Sequence, residues 1–297
     1  MPYPIGYVAN THGNKLIFNE MAYDKELLHA EFNNYYYSVT DVQGAIFYKI
    51  MRVVASLLGE VYFLYGYGGI GKTLIWKTLL FVIRSNGEIF VTIASSEIAS
   101  LLLPEGRITH SKFAIPVSAT QNATCNILQG SDLAELLKMT KLIIWDEAPM
   151  CHKFSFEALD KSLKDIMHND ISFGGKVIVF GSDFHQILPV VSRGSRSDIV
   201  HASINASYIW DHCQILKLTK NTRLQTNAAD TNSDDLKQFS NWLLDIGDGK
   251  LGEPNDGYGE ISIPDEFLIK DFNDPMQAIV ETTYPNSLQN YSNVDFL

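Results

Sequence analysis

Between Gly66 and Thr73 the chain reads GYGGIGKT, directly after the apolar run Val61–Tyr65 and directly before a helical pattern over Thr73–Arg84. Few segments this short restrict a fold as much. A G-x-x-x-x-G-K-[ST] loop works when a buried strand delivers it and a helix starts at its end. Glycines let backbone N–H groups close on phosphate oxygens, and the first helical turn adds partial positive charge. Gly66 and Gly71 frame such a loop, and Tyr67, Gly68, Gly69 and Ile70 line it. Lys72 would reach the β- and γ-phosphates of ATP, and Thr73 would offer its hydroxyl oxygen to Mg²⁺.

The rest of the chain repeats the strand–helix alternation that such a loop demands. Short apolar runs at Val61–Tyr65, Ile89–Ile93, Leu142–Trp145, Val177–Phe180 and Ile215–Leu218 read as buried strands. Helical spacing begins at Asp41, with Ile46, Ile50, Val53, Val54 and Leu57 on one face and Thr40 or Asp41 as N-cap. Further helices are expected over Leu133–Lys138 and Asp235–Leu244. This order predicts an α/β P-loop NTPase, a RecA-like parallel sheet flanked by helices, followed by an incomplete second domain. The expected boundaries are an N-terminal flanking segment over 1–40, the ATPase domain over 41–224, and an acidic linker with the start of a truncated second domain over 225–297.

Two further segments bear on the same site. In LIIWDEAPM a buried strand ends in Asp146 and Glu147, and open α/β sheets bind ligands at the carboxyl ends of their strands. Asp146 would hold Mg²⁺, and Glu147 would take the proton from an attacking water. An apolar run followed by Asp-Glu fits a solvated acidic turn equally well by itself; the phosphate loop upstream tips the balance. In GGKVIVFGSDFHQILPVV the strand Val177–Phe180 is followed by Gly181, Ser182, Asp183 and Gln186. The Gln186 amide could donate to a γ-phosphate and accept from water, or lie on a turn surface.

Composition excludes several classes. The net charge is −11, yet 14 acids and 3 lysines lie from Leu224 onward, leaving 20 acids and 20 bases before it. A neutral front part is compatible with a local basic groove. No apolar run approaches membrane-spanning length. Three scattered cysteines, Cys125, Cys151 and Cys213, favour a reducing compartment over a disulfide frame and offer no zinc spacing.

In order and wording these motifs resemble the Pif-type (petite integration frequency) DNA helicases, superfamily 1B relatives of RecD, and within them the Helitron-like branch. The likeness runs from about Leu16 to about Ile269. It implies an ATP-dependent 5′-to-3′ DNA helicase acting on single-stranded DNA or duplex junctions, with roles in DNA repair, recombination and telomere maintenance and a nuclear location. By resemblance, Gln43 in VTDVQGAIFYKI would read the adenine edge. Ser95, Ser96, Thr109, His110 and Ser111 in ASSEIASLLLPEGRITHSKFAIP would contact DNA, and Arg223 in LKLTKNTRL would be a finger on the γ-phosphate. The chain departs from the family pattern at Glu97 (usually glycine), Ser182 (usually glycine), His185 (usually arginine) and Thr222 (usually methionine).

The family carries a second RecA-like lobe, so an end at Leu297 implies a fragment with impaired unwinding. The alternative is a non-catalytic, transposon-derived nucleotide-binding remnant or interaction module. A third reading, a small kinase, lacks a recognisable lid and acceptor pocket.

Overall fold

A strand buried on both faces has no reason to alternate polar and apolar residues, and four of the five apolar runs reflect that burial; the run at Ile215–Leu218, expected to be buried too, belongs to an edge strand in which Ile215 is half exposed. The computed structural model describes residues 13–56, 58–185, 187–218, 233–251 and 260–290. Six strands form one parallel sheet: β1 (Val61–Tyr65), β2 (Ile89–Ala94), β3 (Arg107–Ile108), β4 (Thr140–Asp146), β5 (Val177–Ser182) and β6 (Cys213–Lys217). Their order is β3-β2-β4-β5-β1-β6. Thus β5 lies between the strand that delivers the glycine loop and the strand that ends in Asp146. The two-residue β3, too short to carry a pattern, is a strand that sequence reasoning passes over.

Alternate residues of each strand feed two cores. Phe63, Ile143, Trp145, Ile178 and Phe180 enter one layer with Ala134, Leu136 and Leu137 of α7 (Asp132–Met139) and Phe156, Leu159 and Leu163 of α8 (Lys153–Met167). Tyr62, Leu64, Leu142, Ile144 and Val179 enter the other. There they meet Ile46 and Ile50 of α3 (Asp41–Ser56) and Ile75, Trp76 and Leu79 of α4 (Lys72–Ser85).

Two helices precede α3 within the N-terminal segment 1–40, where no helix was expected. They are α1 (Lys15–Met21), capped by Asn14, and α2 (Lys25–Tyr36), capped by Asp24. Each cap side chain accepts from two backbone N–H groups of the first turn. Leu16 and Ile17 pack on the first core, and Phe32 and Tyr36 on the second.

The chain divides into two compact units, Met1–Ser233 and Asp234–Leu297. In the second, Phe239 and Trp242 of α10 (Ser233–Gly247) gather with Phe267, ring centroids 4.8–6.2 Å apart. Among the described residues no helix is long and apolar enough to cross a membrane.

A buried carboxylate braces β5 from below. Asp160 of α8 is 1 % exposed. It accepts from Phe173 N (2.6 Å), the Tyr208 hydroxyl (2.7 Å) and Lys164 Nζ (2.8 Å). Phe173, held at φ 53°, packs its ring 5.9 Å from that of Phe180. Asp160→Ala removes the acceptor for three donors and is expected to destabilise unit 1 by about 2–4 kcal/mol. The measurement is a lower urea midpoint at unchanged slope.

Candidate functional site

Strand register brings the polar ends of the sheet to one edge. Tyr65 pairs with Ser182, Trp145 with Phe180, and Ala94 with Asp146. The segments following β1, β4 and β5 therefore leave from a common rim. The glycine loop leaves β1 there and turns into α4 through Gly71, whose φ of 86° caps the helix in the left-handed region. Gly66 is needed for a different reason: a Cβ at that position would lie 1.9 Å from Ile70 Cδ1. Ile70 is 2 % exposed and anchors the loop in the second core. Gly68 and Thr73 stand open, as a ligand-facing loop and hydroxyl require.

Lys72 is the cation of the site. Its Nζ donates to the Gly66 carbonyl and, at 3.4 Å, to that of Tyr67. Burial pushes its pKa down, while the nearby charges of Asp146, Asp183 and Glu147 push it up. For Asp146, burial dominates and raises the pKa, opposed by the Lys72 amine and by the backbone N–H of Glu147. Asp146 packs against a position that only glycine can fill. A Cβ on Gly181 would lie 2.6 Å from Asp146 Oδ1 and 2.6 Å from Trp76 Cζ2. The Trp76 indole N–H lies beside the same carboxylate, buried and without completing a hydrogen bond.

Glu147 follows with its backbone at φ 51°, ψ 37°, a region few non-glycine residues occupy. The Ser96 hydroxyl donates to its Oε2 at 2.5 Å. Asp183, 6 % exposed, accepts from the His185 backbone N–H and pairs with its Nδ1, each at 3.0 Å. The His185 ring lies 5.3 Å from that of Tyr67.

Gln43 is 1 % exposed, and its amide is engaged on both sides. Nε2 donates to the Ile70 carbonyl (3.2 Å), while Oε1 accepts from Thr40 N (2.9 Å) and Thr40 Oγ1 (3.0 Å). This is the reciprocal cap of a T-x-x-Q start, here tied to the loop. Two expected DNA contacts need correction. Thr109 is fully buried, its hydroxyl donating to the Ala94 carbonyl at 2.8 Å. The Ser95 hydroxyl faces the sheet, accepting from Trp145 Nε1 (2.9 Å) and Cys151 Sγ (3.3 Å). His110 is half-buried, which lowers its pKa, and Ser111 and Glu97 are exposed. Gln186 and Arg223 lie outside the described residues, as do Leu57 and Thr222.

The site thus gathers Lys72, Thr73, Asp146 and Glu147 with Gly181 and Asp183, which sequence reasoning placed in a segment near the site without a role, and with Trp76 and Ser96, to which it gave no part in the nucleotide site. Trp76 could have been flagged by its position one helical turn after Lys72; nothing in the sequence links Ser96 to Glu147. Among the described residues no group of three or more His, Cys, Asp or Glu side chains is arranged to hold a metal alone. Mg²⁺ at a phosphate needs less, one or two protein oxygens beside phosphates and water, and Thr73 and Asp146 are donors of that kind.

The sequence profile of the family described as PIF1-like helicase matches residues 38–257. Among curated proteins the chain is similar to the ATP-dependent DNA helicase Pif1 of Psychrobacter sp. (strain PRwf-1), 28 % identical over 174 residues, covering 58 % of this chain and 26 % of that one. It is similar to the ATP-dependent DNA helicase RRM3 of Saccharomyces cerevisiae, 28 % identical over 184 residues, covering 60 % and 25 %. Among solved structures it is similar to a Bacteroides sp. Pif1 in complex with ADP-AlF4, with 25 % identity and a TM-score of 0.54, covering 70 % of this chain and 45 % of that one. The chain spans about a quarter of the length of these two curated relatives.

Gly181→Ala is expected to cost about 1–3 kcal/mol by forcing Asp146 and Trp76 apart. A lowered thermal midpoint together with weaker Mg²⁺-dependent nucleotide binding checks this; an unchanged pair of values would mean the two side chains move aside freely.

Proposed function

Because the chain belongs to the PIF1-like helicase family, we propose that it binds ATP with Mg²⁺ at the rim of the sheet and hydrolyses it in response to single-stranded DNA. The observation that carries the reading is the placement of one lysine amine within the charge field of Asp146, Glu147 and Asp183. A triphosphate brings negative charge into that field, and Lys72 is free to exchange its loop carbonyls for phosphate oxygens. Thr73 and Asp146 would hold the metal, which neutralises phosphate charge when bound.

Glu147 would accept the proton of the attacking water. Gln43 would act through the loop it supports, its second amide hydrogen being the group left for an adenine edge. Gln186 on the γ-phosphate and Arg223 as a finger belong to the proposal through family likeness. So do the 5′-to-3′ direction, work at duplex junctions, a part in DNA repair, recombination and telomere maintenance, and a nuclear location.

A second reading, nucleotide binding without a motor, is favoured by one observation. Glu97 is exposed in the stretch assigned to DNA, where a carboxylate repels the phosphate backbone. DNA-stimulated ATP turnover separates the two, because only the motor couples the ligands.

Lys72→Ala is expected to abolish measurable turnover and weaken ATP binding. Glu147→Gln should leave ATP affinity near that of the unaltered protein while slowing hydrolysis roughly 10²–10⁴-fold. Equilibrium binding and single-turnover hydrolysis read these separately; Glu147→Gln turning over at the original rate would remove Glu147 from the role of base.

A further inference from the structure

Two adjacent serines at the end of β2 have different tasks. Ser95 is locked into the sheet by Trp145 and Cys151. Ser96 faces the other way, and its single hydroxyl makes two connections. It accepts from Ala99 N at 3.2 Å, capping α5 (Glu97–Leu102), and it donates to Glu147 Oε2 at 2.5 Å. A short helix on the stretch assigned to DNA and the residue assigned as base therefore share one oxygen atom. The residues so joined are 51 apart in sequence.

Three features make this connection more than a passing contact. Glu147 has an unusual backbone conformation, φ 51°, which persists only where surroundings over-determine it. A hydroxyl has one proton, and its donation to Glu147 at 2.5 Å is lost once the two oxygens move apart by roughly 0.5–1 Å. The outer face of α5 carries little of its own packing: Ile98 is 76 % exposed, Leu101 80 % and Leu102 68 %. Only the inner side, through Ala99 and Ser100, is buried.

We propose that Ser96 is the positioning residue for Glu147, and that nucleic acid bound along residues 94–116 acts on hydrolysis through this hydroxyl. The inference rests on the reading of Glu147 as general base and of that stretch as the DNA face. It assigns Ser96 to the coupling of the two ligands in place of a direct DNA contact. Movement of α5 changes the Ser96–Glu147 distance, and with it the direction in which the carboxylate points.

The test compares the unaltered protein with Ser96→Ala and Ser96→Thr. ATP turnover is measured with and without oligo-dT, together with affinity for each ligand and amide hydrogen exchange over 147–151. Ser96→Ala should lower kcat in the presence of oligo-dT about ten- to a hundredfold, with KM for ATP and affinity for oligo-dT unchanged. Ser96→Thr, which keeps the hydroxyl, should restore most of the rate. Exchange over 147–151 should quicken in Ser96→Ala and no longer respond to oligo-dT. The proposal is overturned if Ser96→Ala keeps the full stimulated rate. It is overturned equally if oligo-dT affinity falls in proportion to kcat, which would make Ser96 a DNA contact. If the unaltered protein turns over no ATP, the motor reading fails; the linkage then stands or falls on the exchange difference alone.

Discussion

Four charged groups meet where β1, β4 and β5 end: the Lys72 amine and the carboxylates of Asp146, Glu147 and Asp183. Removing charges from water is costly, and pairing offsets that cost only with good geometry. Here burial pushes Lys72 and Asp146 each toward its neutral form, and each holds the other toward its charged one. The balance depends on distances that the sheet enforces. Parallel pairing aligns β2, β4, β5 and β1 along one rim, and the two apolar layers keep the strands from sliding.

Close packing makes that enforcement stiff. Trp145, Phe156, Phe173 and Phe180 pack ring against ring immediately below the carboxylates, with centroids 4.4–5.9 Å apart. Interiors of this kind transmit strain instead of absorbing it. Asp146 and Glu147, the latter with its unusual backbone angle, follow Trp145 of this layer directly in the chain, while Asp146 meets Gly181 beside Trp76 of the other layer. Gln43 does comparable work from the opposite side, joining the start of α3 to the carbonyl of Ile70. A helix cap and the glycine loop are thereby made one unit.

Legibility followed burial. The strands read at 61–65, 89–93, 142–145 and 177–180 have both faces covered, so apolar residues dominate them, whereas the run at 215–218 lies in an edge strand and is covered only in part. Helix α3 was legible from its stripe and its start from the cap residues at Thr40 and Asp41, but the bonds between Gln43 and Thr40 were not. Helices α1 and α2 were not. Between them they bury a single side chain, Leu28, and a helix held by capping and aromatic edges leaves no 3.6-residue signature. The inward bonds of Ser95 and Thr109, expected by resemblance to contact DNA, were not legible because their partners, Trp145, Cys151 and the Ala94 carbonyl, approach only through sheet pairing and the crossing of loops.

The sequence by itself determined the set of donors: a glycine loop bounded by strand and helix, a lysine and a hydroxyl at its end, and two acids closing an apolar run. The proposal of a phosphate ligand with Mg²⁺ rests on those residue types at that short spacing. Tertiary structure decided which groups face one another. That β5 lies between β1 and β4, that Gly181 makes room for Asp146, and that Ser96 reaches Glu147 all depend on contacts between residues about 35 to 120 apart in the chain. Local patterns carry no record of such distances. They are set only when the two apolar faces close over the sheet and fix its register.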